Sequence, residues 1–455
     1  MHSYRITTNG LYRTYRTNLS KNNKMLGDSM TTVETSRNFN TYAEDPAAAS
    51  KAWRLRRSYW RTNDQIDNSN YAVSKFESAY SAMASIIDGD AGNGDYSLGL
   101  DGLLSTIRGI TGSAGSSRVA LGKELRQTAD NMVSMLNTKY GDEFVFAGAD
   151  GLKVPFEWNE DKTKLLYRGV DVATEQPKDI ADFGVTEEML GDFTVSDLTM
   201  SQPVESDYEN PEDYTAATEK YSSLQALLRE PTLEDEDGSG NPLYTSADDE
   251  NYIAAHEKYE ALQQLKSYAA EYEERSGVSY DEGKENYDKL QSMAEETTYI
   301  DVGLGMKERD DRLIPGSAFN SAVSGLRFLG FGKDENLVMV VKELGEIFSA
   351  SDPDDGAYAS PEDEKRADEL LDLLHEGVRN AQDQHTQLSA DAKYLKTNLE
   401  QLKLNKSELD SQIVDTEDMD MAEAITNMNW AQYCYNAALR IGTNLLSQSL
   451  IDYMN

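Results

Sequence analysis

The chain has 455 residues, more than one compact hydrophobic core accommodates, so we expect several domains. Its formal net charge of −38 makes nucleic acids and anionic membranes poor partners, because both would be repelled. The single cysteine, Cys434, excludes an internal disulfide framework and a cysteine-based zinc site. We also expect no cleaved signal peptide and no membrane span, since the start lacks an apolar core and no long apolar run occurs.

The charge is distributed unevenly along the chain. Residues 201–300 hold 25 acidic and 7 basic side chains, whereas residues 1–60 hold 4 acidic and 10 basic ones. The basic start could attract the acidic body or a partner, or it could be the solvated face of a helix. The solvated face is the favoured interpretation.

Residues 1–44 form the first predicted domain, a terminal helix that polymerises. Within residues 8–33 apolar side chains recur at helical spacing, which predicts one amphipathic helix. Its assembly face is predicted to carry Tyr12, Tyr15, Leu19 and Leu26.

Residues 45–140 are predicted to form the first part of a helical rod. Asp45, followed by Pro46, is typical of an N-cap and a first turn. Apolar side chains then recur every seven residues, which predicts a coiled-coil seam. A turn at residues 88–95 ends this helix; it lacks the glycine and the glutamate that a calcium loop needs. A third helical stretch is predicted from about Leu103 to Tyr140. The seam residues of this part are Tyr59, Ile66, Val73 and Tyr80.

Residues 141–330 are predicted to be a variable α+β outer domain. Short β-like runs lie at residues 143–146, 154–158, 164–168 and 298–304. An acidic, tyrosine-rich helical stretch interrupts them at about 208–292, around a loop at residues 235–242. We interpret this stretch as an inserted helical hairpin.

Residues 331–413 are predicted to be the returning part of the rod. Ser360 and Pro361 are typical of a helix start, and an apolar seam then continues to Ile413 at alternating steps of three and four residues. His385 and Lys406 are its polar interruptions, for which we expect packing roles. So thin a stripe on so long a helix requires a partner along its whole side. The seam residues of this part include Leu388, Leu395, Leu402 and Leu409.

Residues 414–455 are predicted to be a second terminal, polymerising helix. Its apolar arc is wide, so a single partner helix cannot cover it, and the first 33 residues and other copies of the chain are the candidate partners. The predicted fold is mainly α, with the two chain ends forming a long antiparallel coiled-coil rod. The residues expected on this assembly interface are Met421, Ile425, Met428, Tyr435, Leu439, Ile441, Leu445, Leu446 and Leu450.

The sequence contains no convincing catalytic, cofactor or metal site. The histidines have no second ligand at metal spacing, apart from the weak pair His375 and His385. The small polar stretch at residues 112–117 matches neither a phosphate loop nor a nucleophile elbow. Acidic pairs are abundant, and nothing marks one as special. We therefore predict a protein that is not an enzyme and has no cofactor.

Five segments resemble the flagellin family, and within it the hook–filament junction subfamily. The terminal helix, with its ending at residues 449–454, is the most specific of them. One departure lies at residues 35–40, where family members usually carry a glycine before the asparagine of the turn. The segments that carry the resemblance are residues 5–9, 42–49, 139–148, 418–425 and 449–454.

The resemblance implies a structural subunit that joins the hook of a bacterial flagellum to its filament. Such proteins leave the cell through the flagellar type III export channel without a cleaved signal peptide. The implied partners are copies of the chain, the other hook-associated junction protein on the hook side, flagellin on the filament side and an export chaperone on the C-terminal helix. Three alternatives stay open: flagellin itself, a flagellin-like rod that carries a carbohydrate-binding or hydrolytic middle domain, and a cytosolic coiled-coil scaffold unrelated to flagella.

Overall fold

The computed structural model describes residues 8–89, 99–110, 115–208, 210–236, 242–310, 312–314 and 316–454. Two compact units divide the chain. The terminal unit comprises Met1–Tyr71, Asp301–Ala318 and Tyr394–Asn455. The central unit comprises Ala72–Ile300 and Phe319–Lys393.

Helices dominate the structure, at 66% of residues, which confirms the mainly α prediction with a small strand-containing middle region. Two of the four divisions between the units fall inside long helices, α2 and α11. The helices are α1 Thr8–Thr35, α2 Pro46–Asp88, α3 Leu100–Ile110, α4 Gly115–Leu136, α5 Glu187–Leu190, α6 Pro211–Leu227, α7 Glu250–Ser276, α8 Tyr280–Ala294, α9 Gly325–Leu329, α10 Leu337–Ser349, α11 Pro361–Glu417 and α12 Met421–Met454.

Both long inner helices begin at the predicted caps. The Asp45 carboxylate accepts hydrogen bonds from the backbone N–H groups of Ala47 and Ala48, at 3.0 and 2.9 Å. The Ser360 hydroxyl accepts one from the N–H of Asp363 at 3.1 Å. These side chains satisfy backbone donors that a helix start leaves without an intrahelical partner.

The strands are short and pair antiparallel. Strands β4, β5 and β6 form one three-stranded sheet, and the other pairs are β1 with β2, β3 with β11, β7 with β10 and β8 with β9. Strand segments therefore occur in all four predicted β-like runs. The strands are β1 Lys139–Tyr140, β2 Glu143–Phe144, β3 Ala147–Gly148, β4 Phe156–Trp158, β5 Leu165–Tyr167, β6 Val170–Asp171, β7 Tyr299–Ile300, β8 Glu308–Arg309, β9 Arg312–Leu313, β10 Phe319–Asn320 and β11 Val323–Ser324.

The core of the central unit includes the packed pair α4 and α10. Gly122 and Gly345 let the two backbones approach, because a Cβ on Gly345 would lie 2.9 Å from the carbonyl oxygen of Gly122. Leu125 and Leu344 are fully buried around this crossing. Such burial of large aliphatic side chains contributes about 1.5–3 kcal/mol each to folding.

The acidic insertion shares a second core of the central unit with residues 180–200. Leu262 and Leu265 of α7 are fully buried there, together with Leu224 of α6. The hydroxyl of Tyr272 donates to the Glu175 carbonyl at 2.8 Å, and that of Tyr280 donates to the Lys178 carbonyl at 2.6 Å. Burial, with nearby Asp179 second, raises the pKa of Tyr280 to about 12. The tyrosines of this stretch therefore tie it to the chain that precedes it.

Two predicted elements are wrong in extent. The helix predicted from Leu103 to Tyr140 is two helices, α3 and α4, and its last residues form β1 because the chain turns into a hairpin there. The predicted helical hairpin at 208–292 has three helices, α6 to α8, since Gly277 in the left-handed conformation and the Ser279 cap divide its second half. The predicted turn at 88–95, the stretch 112–117 and the loop 235–242 lie partly outside the described residues.

Candidate assembly surface

Helices α1 and α12 pack side by side in the terminal unit. They run antiparallel, since Ser36 at the end of α1 bonds to Met419 while Tyr15 lies against Gly442. A Cβ on Gly442 would collide with the Tyr15 ring, so glycine is what allows this approach. Ala424 and Ala431 are buried, which keeps the two backbones close.

The described assembly residues predicted on α12 remain largely uncovered by this pairing. Met421, Ile425, Leu439 and Ile441 are exposed, the last by 56%. Met428 and Tyr435 are half-buried. The side chains of the three remaining predicted residues, Leu445, Leu446 and Leu450, lie outside the described part of the structure.

The predicted residues of α1 are covered more evenly. Tyr12, Tyr15, Leu19 and Leu26 are all half-buried. Exposed apolar side chains that the heptad reasoning missed lie elsewhere on the same two helices: Leu11, Met25, Met30, Trp430 and Tyr433. The Trp430 and Tyr433 rings stack with centroids 5.9 Å apart. Their spacing of three residues places both rings on one side of α12, which could have indicated a shared surface. They lie outside the apolar stripe that the periodicity of α12 predicts.

A groove of about 480 Å³ lies between α1 and α12. Basic and apolar side chains line it, so it combines charge with apolar surface. Among its lining residues are Lys21, Lys24, Met25, Asp28, Met419 and Ala424.

The turns that precede α2 and α12 are clamped to each other. Met419 N–H donates to the Ser36 carbonyl at 3.1 Å, and Asn38 N–H donates to the Glu417 carbonyl at 2.7 Å. The Asn38 side-chain amide donates to the carbonyls of Thr416 and Asp418 at 3.2 and 2.9 Å. One asparagine therefore satisfies carbonyls at the end of α11 and orients both terminal helices.

Ser36 adopts a left-handed conformation, with φ of 56°, within the turn at residues 35–40. Its N–H donates to the Thr32 carbonyl at 2.8 Å, which closes the end of α1. A non-glycine residue pays about 1–2 kcal/mol for this conformation. The turn therefore holds Ser36 in a conformation that favours glycine.

Arg56 of α2 and Glu417 of α11 form a bidentate ion pair beside this clamp. Arg56 Nε–H donates to one carboxylate oxygen at 2.5 Å, and its Nη2 contacts the other. The Glu417 side chain is only 11% exposed. The hydrogen bond from Arg56 lowers the pKa of Glu417, and the same contact raises the pKa of Arg56. The pair stays ionised at neutral pH.

The predicted seam in the terminal unit holds α2 against α11. Ile66, Leu399 and Leu402 form a buried cluster. Lys406 donates to the Asn63 side-chain oxygen at 2.6 Å, and its Nζ lies 5.1 Å from the centre of the Tyr59 ring. Leu395 is buried and Leu409 is half-buried.

The seam residues in the central unit are more varied. Val73 and Leu388 are buried, whereas Tyr80 is 38% exposed. His385 stacks on Tyr80, with ring centroids 4.2 Å apart. Its buried Nε2 has no hydrogen-bond partner among the described residues. Burial lowers the pKa of His385, against a smaller opposing effect of Asp88.

A loop between β7 and β10 covers the seam of the terminal unit and was not anticipated from the sequence. The Asp301 carboxylate accepts from the Gln65 side-chain amide at 3.1 Å and from the Gly303 N–H at 2.9 Å. The Asn398 side chain donates to the Val302 carbonyl at 2.5 Å. The Gln65–Asp301 and Asn398–Val302 contacts connect residues more than 90 positions apart, which local patterns cannot reveal.

No group of three or more His, Cys, Asp or Glu side chains among the described residues could hold a metal ion. No described helix is both long and apolar enough to cross a membrane.

Residues 6–89, a range that contains α1 and α2, match the family model for the bacterial flagellin N-terminal helical region. No curated protein matches the chain significantly. Among solved structures, one named as a flagellar hook-associated protein from Vibrio parahaemolyticus is 12% identical, covers 82% of this chain and 100% of its own, and has a TM-score of 0.42. At that TM-score the likeness does not establish a shared arrangement.

Proposed function

We propose that this chain, a flagellar structural subunit of the flagellin family, joins the hook to the filament and polymerises through α1 and α12. The observation that carries the proposal is the exposed apolar surface of the paired terminal helices. Ile425, Leu439 and Ile441 remain 43%, 39% and 56% exposed in a single copy. Burying such side chains between copies would supply about 25 cal/mol per Å² of apolar area.

The terminal clamp supports the same role. The turns at Asn38 and Met419 give α1 and α12 a defined direction relative to the α2–α11 seam inside the terminal unit. A polymerising pair needs such a fixed direction, because each copy must present the same surface to its neighbours. The role is architectural rather than enzymatic.

The partners follow from the same surface. We infer contacts with further copies of the chain, with the other hook-associated junction protein on one side and with flagellin on the other. Before assembly, an export chaperone would cover α12, whose apolar side chains would otherwise aggregate. The route is flagellar type III export to the cell exterior.

Removal of residues 421–455 tests the polymerising role. We expect the truncated chain to lose both assembly and chaperone binding, while the central unit keeps its melting transition. Incorporation into sheared flagella and chaperone pull-down are the measurements. Incorporation of the truncated chain at the wild-type level would overturn the assignment of α12.

Bulk flagellin is the second candidate, since the family model that matches describes a flagellin N-terminal region. The number of copies per flagellum separates the two functions. A junction subunit should be scarce in quantitative mass spectrometry of sheared flagella, whereas a filament subunit should be the most abundant protein there.

A further inference from the structure

Helix α2 exposes two tryptophans and two unpaired arginines on one side within the terminal unit. Trp53 and Trp60 are 64% and 61% exposed, and their spacing of seven residues places them on one helix face. The Arg57 guanidinium lies 5.8 Å from the centre of the Trp53 ring. Arg54 and Arg57 form no ion pair within the described residues, in contrast to Arg56 and Arg61 nearby. We call this set the basic stripe.

Helix α11 exposes a surface of opposite charge in the same unit. Leu404 is 66% exposed, and Glu408, Ser411 and Asp415 follow on its face at steps of four, three and four residues. Val414 beside them is 47% exposed. Neither Glu408 nor Asp415 forms an ion pair in the described part of the chain. We call Leu404, Glu408, Val414 and Asp415 the acidic stripe.

Neither stripe can be explained by the packing inside one copy. The seam between α2 and α11 uses the opposite faces of these helices, through Ile66 and Leu402. Large apolar side chains left this exposed indicate an interaction surface rather than ordinary solvated helix. Tryptophan and arginine are also the residue types that dominate the energetics of protein interfaces.

We propose that the basic stripe of one copy docks on the acidic stripe of a second copy of this chain. The inference rests on the proposed self-assembly, but it concerns a surface outside α1 and α12. Two features support a second copy as the occupant. The charges are complementary, and each stripe carries exposed apolar side chains.

The geometry also predicts the kind of assembly. The two stripes are different surfaces, so the contact is heterologous: each copy offers a basic stripe to one neighbour and an acidic stripe to another. Heterologous contacts produce rings or helical arrays rather than closed pairs. For a chain with a net charge of −38, a local basic stripe also offsets the general repulsion between copies.

A charge-swap experiment with the full-length chain tests the proposal. One variant carries Arg54→Glu and Arg57→Glu, and the other carries Glu408→Lys and Asp415→Lys. Either variant alone should associate at least about tenfold more weakly than the wild type in sedimentation velocity, because its stripes repel. An equimolar mixture should recover association, since each variant offers the charge that the other requires.

Matched reversals outside the stripes provide the control. Lys51→Glu and Asp410→Lys lie on the same two helices and should leave association unchanged. Circular dichroism and melting curves establish that each variant is folded. Unchanged association in both charge-swapped variants, or a mixture no tighter than either variant alone, would overturn the stripe contact. So would a wild-type chain that stays monomeric at the highest soluble concentration.

Deletion of residues 421–455 separates this inference from the proposed role of α12. Association lost on deletion but insensitive to the charge swaps would leave α12 as the polymerising element and reject the stripes. Association that survives deletion and still responds to the swaps would support the stripes and reject that role for α12.

Discussion

The helix pairs α4–α10 and α1–α12 are alike in how closely their backbones approach, but they differ in how far their remaining faces are buried. Both approach closely at glycine: Gly122 and Gly345 in the first pair, Gly442 in the second. Yet Leu344 of α10 is 0% exposed, whereas Ile441 of α12 is 56% exposed. Close approach joins one face of each helix; only further layers of structure cover the remaining faces. The central unit contains those layers in one copy, and we propose that other copies supply them for α12.

The largest expected effect separates the two pairs directly. Leu344→Ala should lower the free energy of unfolding by about 2–5 kcal/mol, because it leaves a cavity in a closed core. Ile441→Ala is the matched control and should change it by less than about 0.5 kcal/mol, while weakening assembly. Urea denaturation of the monomer and a pelleting assay measure the two quantities. Equal losses of folding stability would refute the contrast.

A second prediction concerns the ion pair beside the terminal clamp. Glu417→Gln should lower the free energy of unfolding by about 1–2 kcal/mol, because it weakens a charge-assisted contact whose carboxylate is largely buried. The pKa of Glu417 is lowered, so the pair stabilises the fold above the ordinary value of 4.5 and that contribution disappears as pH falls through the folded-state pKa. Denaturation measured across this acid range should show a shallower pH dependence in the variant. Asp410→Asn, on the exposed face, should retain the wild-type profile.

A smaller change in folding stability is expected at the turn that contains Ser36. Ser36→Gly should raise the stability of the terminal unit by up to about 1 kcal/mol, because glycine adopts positive φ without the Cβ penalty, less its entropic cost. Ser36→Ala keeps the penalty and is the control. Hydrogen exchange at the amides of the clamp would report the difference. A loss of protection in the glycine variant would contradict this account of the turn.

The smallest expected effect is the contribution of His385, in the central unit, to the acid sensitivity of folding stability. It is absent at neutral pH. The lowered pKa of His385 means that the folded state resists protonation, so stability should fall as pH drops below the ordinary value of 6.5. His385→Phe keeps a ring against Tyr80 and should remove that part of the acid sensitivity. Thermal melts in mildly acidic and neutral buffer would measure it. Identical acid profiles of wild type and variant would show that His385 contributes nothing.

Much of the helical framework could be predicted because its signals are local. Helix caps and heptad spacing act within one or two turns of a helix, so they can be recognised without tertiary contacts. Examples are the N-caps Asp45 and Ser360 and the seven-residue spacing of Ile66 and Val73. The third helix illustrates the limit. Its apolar periodicity continues past Leu136, but the chain enters a hairpin there because Lys139 pairs with Phe144.

The candidate site was harder to anticipate. The apolar stripe of α12 is predicted from the helical spacing of its apolar residues. This spacing identifies a wide apolar arc but does not show which part of it a neighbouring helix covers. Ala424 is buried and Trp430 exposed because Gly442 and the small residues bring α1 onto one particular side. The contacts of the Asp301 loop could not be predicted from the sequence for a different reason. Its partners, Gln65 and Asn398, are far away along the chain.

The sequence alone determined that two chain ends would be long helices with a continuous seam, because periodicity and caps are properties of neighbouring residues. It also carried the resemblance on which the flagellar expectation was based. Only the tertiary structure decided which apolar side chains remain uncovered, that Ser36 adopts a left-handed conformation, and which charged side chains are exposed on the outer faces of α2 and α11. Those properties depend on which surfaces distant segments occupy, and no local pattern encodes that.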